Sequence, residues 1–115
     1  MKEKRRLKRR YIIAEAKIKS ARGTSWNDAM VVNINRDGLA LYSKKPVKSG
    51  EKVLIKITFL ERKKLYTVEE LSGTIRWAQP IGKNYAAGLK FDYKVNKKDF
   101  PVLKRCLEYV MKSNK

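Results

Sequence analysis

Two polar clusters in this sequence are spaced for chemistry, and both suit holding an anion better than breaking a bond. The first is Lys4-Arg5-Arg6-Leu7-Lys8-Arg9-Arg10, in which Arg6 and Arg10 are separated by three residues, as are Arg5 and Arg9. The planar fork of arginine pairs bidentately with phosphate or with the O6 and N7 acceptors of guanine, and it also stacks on a base. Lysine cannot do all three. The second cluster, Asn33-Ile34-Asn35-Arg36-Asp37-Gly38, interrupts two apolar segments. Taken singly, the first is a polybasic tail. The second, alone, is a tight β-turn in which Asn and Asp bond their own backbone and Gly38 supplies a positive φ.

Other chemistries lack their residues. The chain has no histidine and one cysteine, Cys106, expected in the core, so the usual base and nucleophile pairings of hydrolases are missing and no enzyme is expected. No Cys/His cluster or carboxylate spacing suits a metal, and no glycine-rich phosphate loop of the common nucleotide-binding types is present. Lys and Arg number 29 against 11 Asp and Glu, a formal net charge of +18. Residues 1–10 carry +6 of this and residues 11–115 carry +12. An anionic partner follows, and charge alone admits nucleic acid, lipid headgroups or a small phosphorylated ligand. A single cysteine fits a reducing compartment. No apolar run reaches the roughly 18 residues of a membrane span, and Glu15 and Lys17 interrupt the stretch after the basic N-terminus before a signal-peptide core could form. A cytoplasmic location is expected.

The elements that must position the two clusters read as β structure followed by one helix. From Tyr11 to Ser20, Ile12, Ala14, Ala16 and Ile18 alternate with Glu15, Lys17 and Lys19, the pattern of a half-buried strand. Trp26 to Asn33 leads through Ala29-Met30-Val31-Val32 into a second strand, and Leu39 to Ser43 makes a third. Glu51 to Leu60 alternates most cleanly, with Val53, Ile55, Ile57 and Phe59 on one face. Leu65 to Ala78 reads as one long strand able to bend or bulge at Gly73, and Tyr85 to Phe91 closes the β run. Then the period changes: Phe100, Leu103, Leu107, Val110 and Met111 recur every three or four residues, predicting a helix over about 100–113 with Pro101 in its first turn and Asp99 as its cap. Trp26 and Trp77 could offer a base a stacking face, but tryptophan within a strand pattern is more often core, and core is the expectation for both.

The order and spacing of these pieces resemble the PilZ domain family. Arg6-x-x-x-Arg10 enters the first strand, and Asn33-x-Asn35-x-x-Gly38 follows it where the family carries an [Asp/Asn]-x-Ser-x-x-Gly turn. The likeness continues through Gly38-Leu39-Ala40-Leu41, Pro46-Val47-Lys48-Ser49-Gly50, Gly73-Thr74-Ile75-Arg76-Trp77 and Tyr85-Ala86-Ala87-Gly88-Leu89-Lys90-Phe91. The resemblance implies a six-stranded antiparallel β-barrel over residues 11–115 with a C-terminal helix, and cyclic di-GMP as ligand, with no further cofactor. It assigns Arg6 and Arg10 to phosphate and guanine, with Arg5 and Arg9 as alternates in register, and makes Asn33, Asn35 and Gly38 the opposite wall. The family's serine is Asn35 here, a longer and flatter group. The implied role is an adaptor whose arm, residues 1–10, orders on the nucleotide and signals to a protein partner. A nucleic-acid-binding barrel and a scaffold that binds only protein are the rival readings.

Overall fold

The computed structural model describes residues 10–94 and 98–113, with residues 10–13 and 111–113 as backbone only. Seven strands and a helix follow one another: β1 (Arg10–Ser20), β2 (Asn27–Ile34), β3 (Gly38–Ser43), β4 (Lys52–Glu61), β5 (Lys64–Thr67), β6 (Leu71–Ile81), β7 (Asn84–Phe91) and α1 (Pro101–Ser113). All pairings are antiparallel, in the order β1-β2-β3-β7-β6-β4, and β1 pairs with β4 to close a six-stranded barrel. Closure leaves these six strands without a free edge to template aggregation. β7, the last strand in the chain, lies between β3 and β6, which do not pair with each other.

The alternation read in the sequence sets the core. Val53, Ile55, Ile57 and Phe59 of β4 point inward beside Ile18, Val31, Leu41, Ile75 and Leu89. Helix α1 adds Leu103, Cys106, Leu107 and Val110 to the same cluster. Burial pushes the Cys106 thiol up to about 12, so it stays an inert apolar group. Pro101 opens α1, where its missing N–H is no loss. The next two amides, of Val102 and Leu103, donate to Oε2 and Oε1 of Glu69 at 2.8 and 2.9 Å. A carboxylate from the segment before β6 therefore sits at the positive end of the helix, a tie that local sequence could not reveal. No helix among the described residues is long and apolar enough to cross a membrane.

One predicted element is split. Leu65 to Ala78 is not a single strand: residues 68–70 are irregular, and β5 and β6 flank them. Val68 is buried there and donates its N–H to the carbonyl of Ile57, while Glu69 turns to the helix. β5 is thus an extra strand outside the barrel, paired with the end of β4 alone. The irregularity expected at Gly73 falls instead at Arg76, where β6 slips by one residue against β7.

Candidate functional site

Strand alternation alone would turn the residues two past Val31 and two past Ile75 inward, as those residues are. Neither Asn33 nor Trp77 obeys. Val31 pairs with Leu41 but Asn33 pairs with Ala40, so Val32 is an extra residue on β2. Ile75 pairs with Leu89 but Trp77 pairs with Gly88, so Arg76 is an extra residue on β6. A one-residue bulge reverses the facing of all that follows it. Trp77 is 45% exposed, against 1% for Ile75. The expectation that Trp77 belongs to the core is therefore wrong, and the reason is a single inserted position.

Because the two bulges lie at one level, they produce a row across the outer face. Tyr11 pairs with Asn33, Asn33 with Ala40, Ala40 with Gly88 and Gly88 with Trp77. β1 is irregular at the same level, between Tyr11 and Ala14. Small residues occupy the middle of the row, with an amide on one side and an indole on the other. The indole lies across Gly88: a Cβ there would stand 2.1 Å from Trp77 Nε1, so only glycine lets the ring settle onto the sheet. Trp26 is not core either. It is half-buried, with Lys56 Nζ 4.5 Å and Lys19 Nζ 5.2 Å from the ring centre, a cation–π arrangement that spends its face on the protein's own lysines.

At the end of this row the β2–β3 turn is built from its own side chain. Asn35 Oδ1 accepts hydrogen bonds from the amides of Asp37, at 2.8 Å, and Gly38, at 3.1 Å, while the Asn35 amide donates to the Gly38 carbonyl at 2.9 Å. This is the Asx geometry expected of the sequence, and it commits the oxygen of Asn35 to the turn. Its Nδ2 is the end left to address a ligand. Gly38 departs from expectation: its φ is not positive. Glycine is required because a Cβ would lie 2.0 Å from the Leu89 carbonyl oxygen. The Phe91 amide, donating to the Asp37 carbonyl at 2.8 Å, draws the turn onto β7.

Charge around the turn is positive but organised. Arg36, Lys90 and Lys94 line an open pocket of about 510 Å³ together with Asp37, Phe91, Asp92 and Tyr93. Asp92 is occupied: it accepts from Ser72 Oγ at 2.5 Å, Thr74 Oγ1 at 2.9 Å and Lys52 Nζ at 3.0 Å. Desolvation pushes its carboxyl upward, but these three donors together outweigh that and hold it below its ordinary value. Its charge is answered within the protein, so the three cations of the pocket face the carboxylate of Asp37 alone and leave the lining net positive and able to meet phosphate. Among the described residues, no three His, Cys, Asp or Glu side chains gather as a metal would require.

Of the predicted site residues, the structure brings Asn33, Asn35 and Gly38 to one end of the outer face. Arg5, Arg6 and Arg9 lie outside the described residues. Arg10 is described as backbone, the first residue of β1, paired with Ile34 next to the Tyr11–Asn33 pair. Trp77 is the residue that sequence reasoning weighed and misplaced, and Gly88 the one it did not single out; a Trp-and-Gly match depends on pairing between strands and leaves no local signal.

Comparison with known proteins agrees with this architecture. The profile of the PilZ domain family matches residues 3–109. No curated protein matches the chain. Among solved structures, the Bacillus subtilis inhibitor of motility (MotI/DgrA) is similar, with a TM-score of 0.73 at 16% sequence identity, covering 96% of this chain and 51% of that one. The chain therefore spans about half of that protein, and at such identity the likeness is one of fold.

Proposed function

The chain belongs to the PilZ domain family, and from that membership we propose that it receives cyclic di-GMP on the outer face of β2, β3, β7 and β6 and acts as an adaptor toward a protein partner. PilZ domains are binding modules for this nucleotide, not enzymes. The observation that carries the reading for this chain is the bulged row Asn33–Ala40–Gly88–Trp77. Three interstrand steps separate its ends, roughly 14 Å, more than the width of a purine. The Trp77 indole itself covers Gly88, so a guanine stacked on the exposed face of that ring and reaching over Ala40 would meet Asn33 as a hydrogen-bonding edge.

The arm closes the site from the β1 side. Arg10 begins β1 beside this row, and the arm that carries Arg6 precedes it in the chain. In this reading Arg6 and Arg10 take the phosphates and the O6 and N7 acceptors of guanine, or Arg5 and Arg9 do so in the alternate register. Asn35 contributes through Nδ2, since its oxygen holds the turn. Ordering of residues 4–10 over the nucleotide creates the surface that a partner reads, and the messenger makes the chain a cytoplasmic protein.

Calorimetry with cyclic di-GMP, cyclic di-AMP and single-stranded RNA at two salt concentrations tests the reading. Cyclic di-GMP should saturate one site and exceed cyclic di-AMP by at least about tenfold, because adenine replaces the O6 acceptor with a donor. Trp77→Ala should weaken cyclic di-GMP about tenfold or more without unfolding the barrel, the usual magnitude of base–aromatic stacking. Arg6→Ala with Arg10→Ala should abolish binding, and hydrogen exchange should show residues 4–10 gaining protection with nucleotide. Equal affinity for all three ligands, lost in parallel as salt rises, would return the chain to generic polyanion binding.

A further inference from the structure

The β4–β5 hairpin stands outside the closed barrel. β5 pairs only with β4, from Thr58↔Thr67 to Glu61↔Lys64, and Arg62 and Lys63 make the turn. Both have positive φ, 51° and 69°. Two-residue hairpin loops of this kind ordinarily carry Asn-Gly, because other residues meet steric resistance there. Two long cations are held in that conformation instead, and strain of this sort is retained where the side chains have work to do.

Directly behind the turn, Leu60 and Leu65 face each other across the strands, 56% and 69% exposed. The base of the hairpin is fastened. Phe59 stacks on Tyr66 at 5.3 Å and leans on Tyr109 of α1, and Arg105 of α1 lies over the Tyr66 ring while its Nε binds Glu61 at 3.0 Å. Glu61 is the only carboxylate of the hairpin, and Arg105 answers it. The open charge of the tip is that of Arg62 and Lys63, joined by Lys64, whose Nζ lies 5.5 Å from the centre of the Tyr66 ring. Glu69 and Glu70 lie beyond β5, and Glu69 is bonded to the helix.

We propose that this tip is a docking element for an anionic membrane surface, with Leu60 and Leu65 at the boundary of the acyl chains and Arg62, Lys63 and Lys64 among acidic headgroups. Charge complementarity requires an acidic surface, and size selects the kind. A stable protein partner usually covers roughly 800 Å² on each side, more than a hairpin tip of six residues offers. A bilayer asks only for a few apolar side chains beside a cluster of cations, since each basic residue near an anionic leaflet adds to the attraction. The net charge of +18 draws the whole chain toward such a surface; the leucine pair gives it one face to enter with.

Sedimentation of the full chain with vesicles of phosphatidylcholine alone, or with about 30% phosphatidylserine, tests this. The chain should bind the mixed vesicles and not the neutral ones. Leu60→Thr with Leu65→Thr, which keeps strand-forming residues at exposed positions, should lower the partition coefficient about tenfold. Arg62→Gln with Lys63→Gln should lower it on the order of tenfold or more. Lys48→Gln with Lys83→Gln, a charge-matched pair exposed elsewhere, should stay within about twofold. Circular dichroism and thermal unfolding verify that each variant is folded. Unchanged binding by the leucine variant, or an equal loss from the Lys48 and Lys83 pair, overturns the proposal.

Discussion

Two hairpin turns, one within the barrel and one outside it, solve the same problem in opposite ways. The β2–β3 turn is secured from within: Asn35 bonds two amides of its own loop, Gly38 lets β3 come close against β7, and the Phe91 amide clasps the Asp37 carbonyl. The β4–β5 turn has no such bonds from its own residues. It holds two cations in left-handed backbone and relies on the aromatic packing and the Arg105–Glu61 pair at its base. One turn is positioned by its own atoms, the other by what lies behind it. A site that must recognise the edge of a base needs the first kind of construction, whereas an element that only has to reach outward tolerates the second.

Gly38→Val should break the comparison most severely. The added Cβ would collide with the Leu89 carbonyl, a backbone atom that cannot step aside. A stability loss of about 3 kcal/mol or more is expected in urea unfolding, in the range of strong overpacking. Full stability of this variant would show that the close approach is not a feature of the folded chain. Asn35→Ala comes next, at about 1 kcal/mol, the usual loss for a side-chain cap of backbone donors, with nucleotide affinity falling alongside. Asn35→Asp keeps the acceptor and should recover most of the stability, which separates the role of the oxygen from that of Nδ2.

The strained turn should respond with the opposite sign. Arg62→Asn with Lys63→Gly accommodates the positive φ with less steric resistance and should raise stability by about 1 kcal/mol, seen as a melting temperature higher by several degrees. A loss of stability would mean that the two side chains support the hairpin. The smallest effect belongs to Asp92, beside the β2–β3 turn. Its folded pKa lies below the ordinary 3.8, so its contribution is complete above that value and fades as pH falls through the folded pKa. Asp92→Asn should therefore flatten the acid limb of a stability–pH profile and leave its neutral slope unchanged. An acid limb identical to that of the parent would assign the loss to other carboxylates.

The barrel was legible in the sequence wherever the pattern kept its period. Glu51 to Leu60 alternates without fault and folds as read, and the change of spacing after Tyr93 marks α1. The readings that failed did so at single-residue irregularities. One inserted residue at Arg76 turns Trp77 outward, and no property of the local sequence distinguishes that residue from an ordinary strand position. Likewise, Leu65 to Ala78 carries strand-forming residues throughout, yet Val68 is drawn into the core and Glu69 to the helix, so tertiary contacts split it. Gly38 was assigned to the right turn for the wrong reason, because its need for space comes from β7, about fifty residues along the chain. Turn chemistry is local and could be read at Asn35; the facing of Asn33 and Trp77 depends on pairing and could not.

The position of β7 between β3 and β6 bears on when the chain becomes able to bind. Asn33 and Trp77 belong to strands that do not pair with each other, and the row between them is complete only once β7, the last strand made, is in place beside β3. During synthesis, or in a chain shortened before Phe91, each side of the row exists without the floor that links them. Nucleotide recognition on this face would then be a property of the finished barrel alone. A ligand of that kind favours the completed state over every partial one: at a hundredfold excess over its Kd it adds about 2.7 kcal/mol. The messenger would act on the yield of folded protein as well as on its signalling, and a cell poor in the nucleotide would be expected to hold less of the chain against proteolysis.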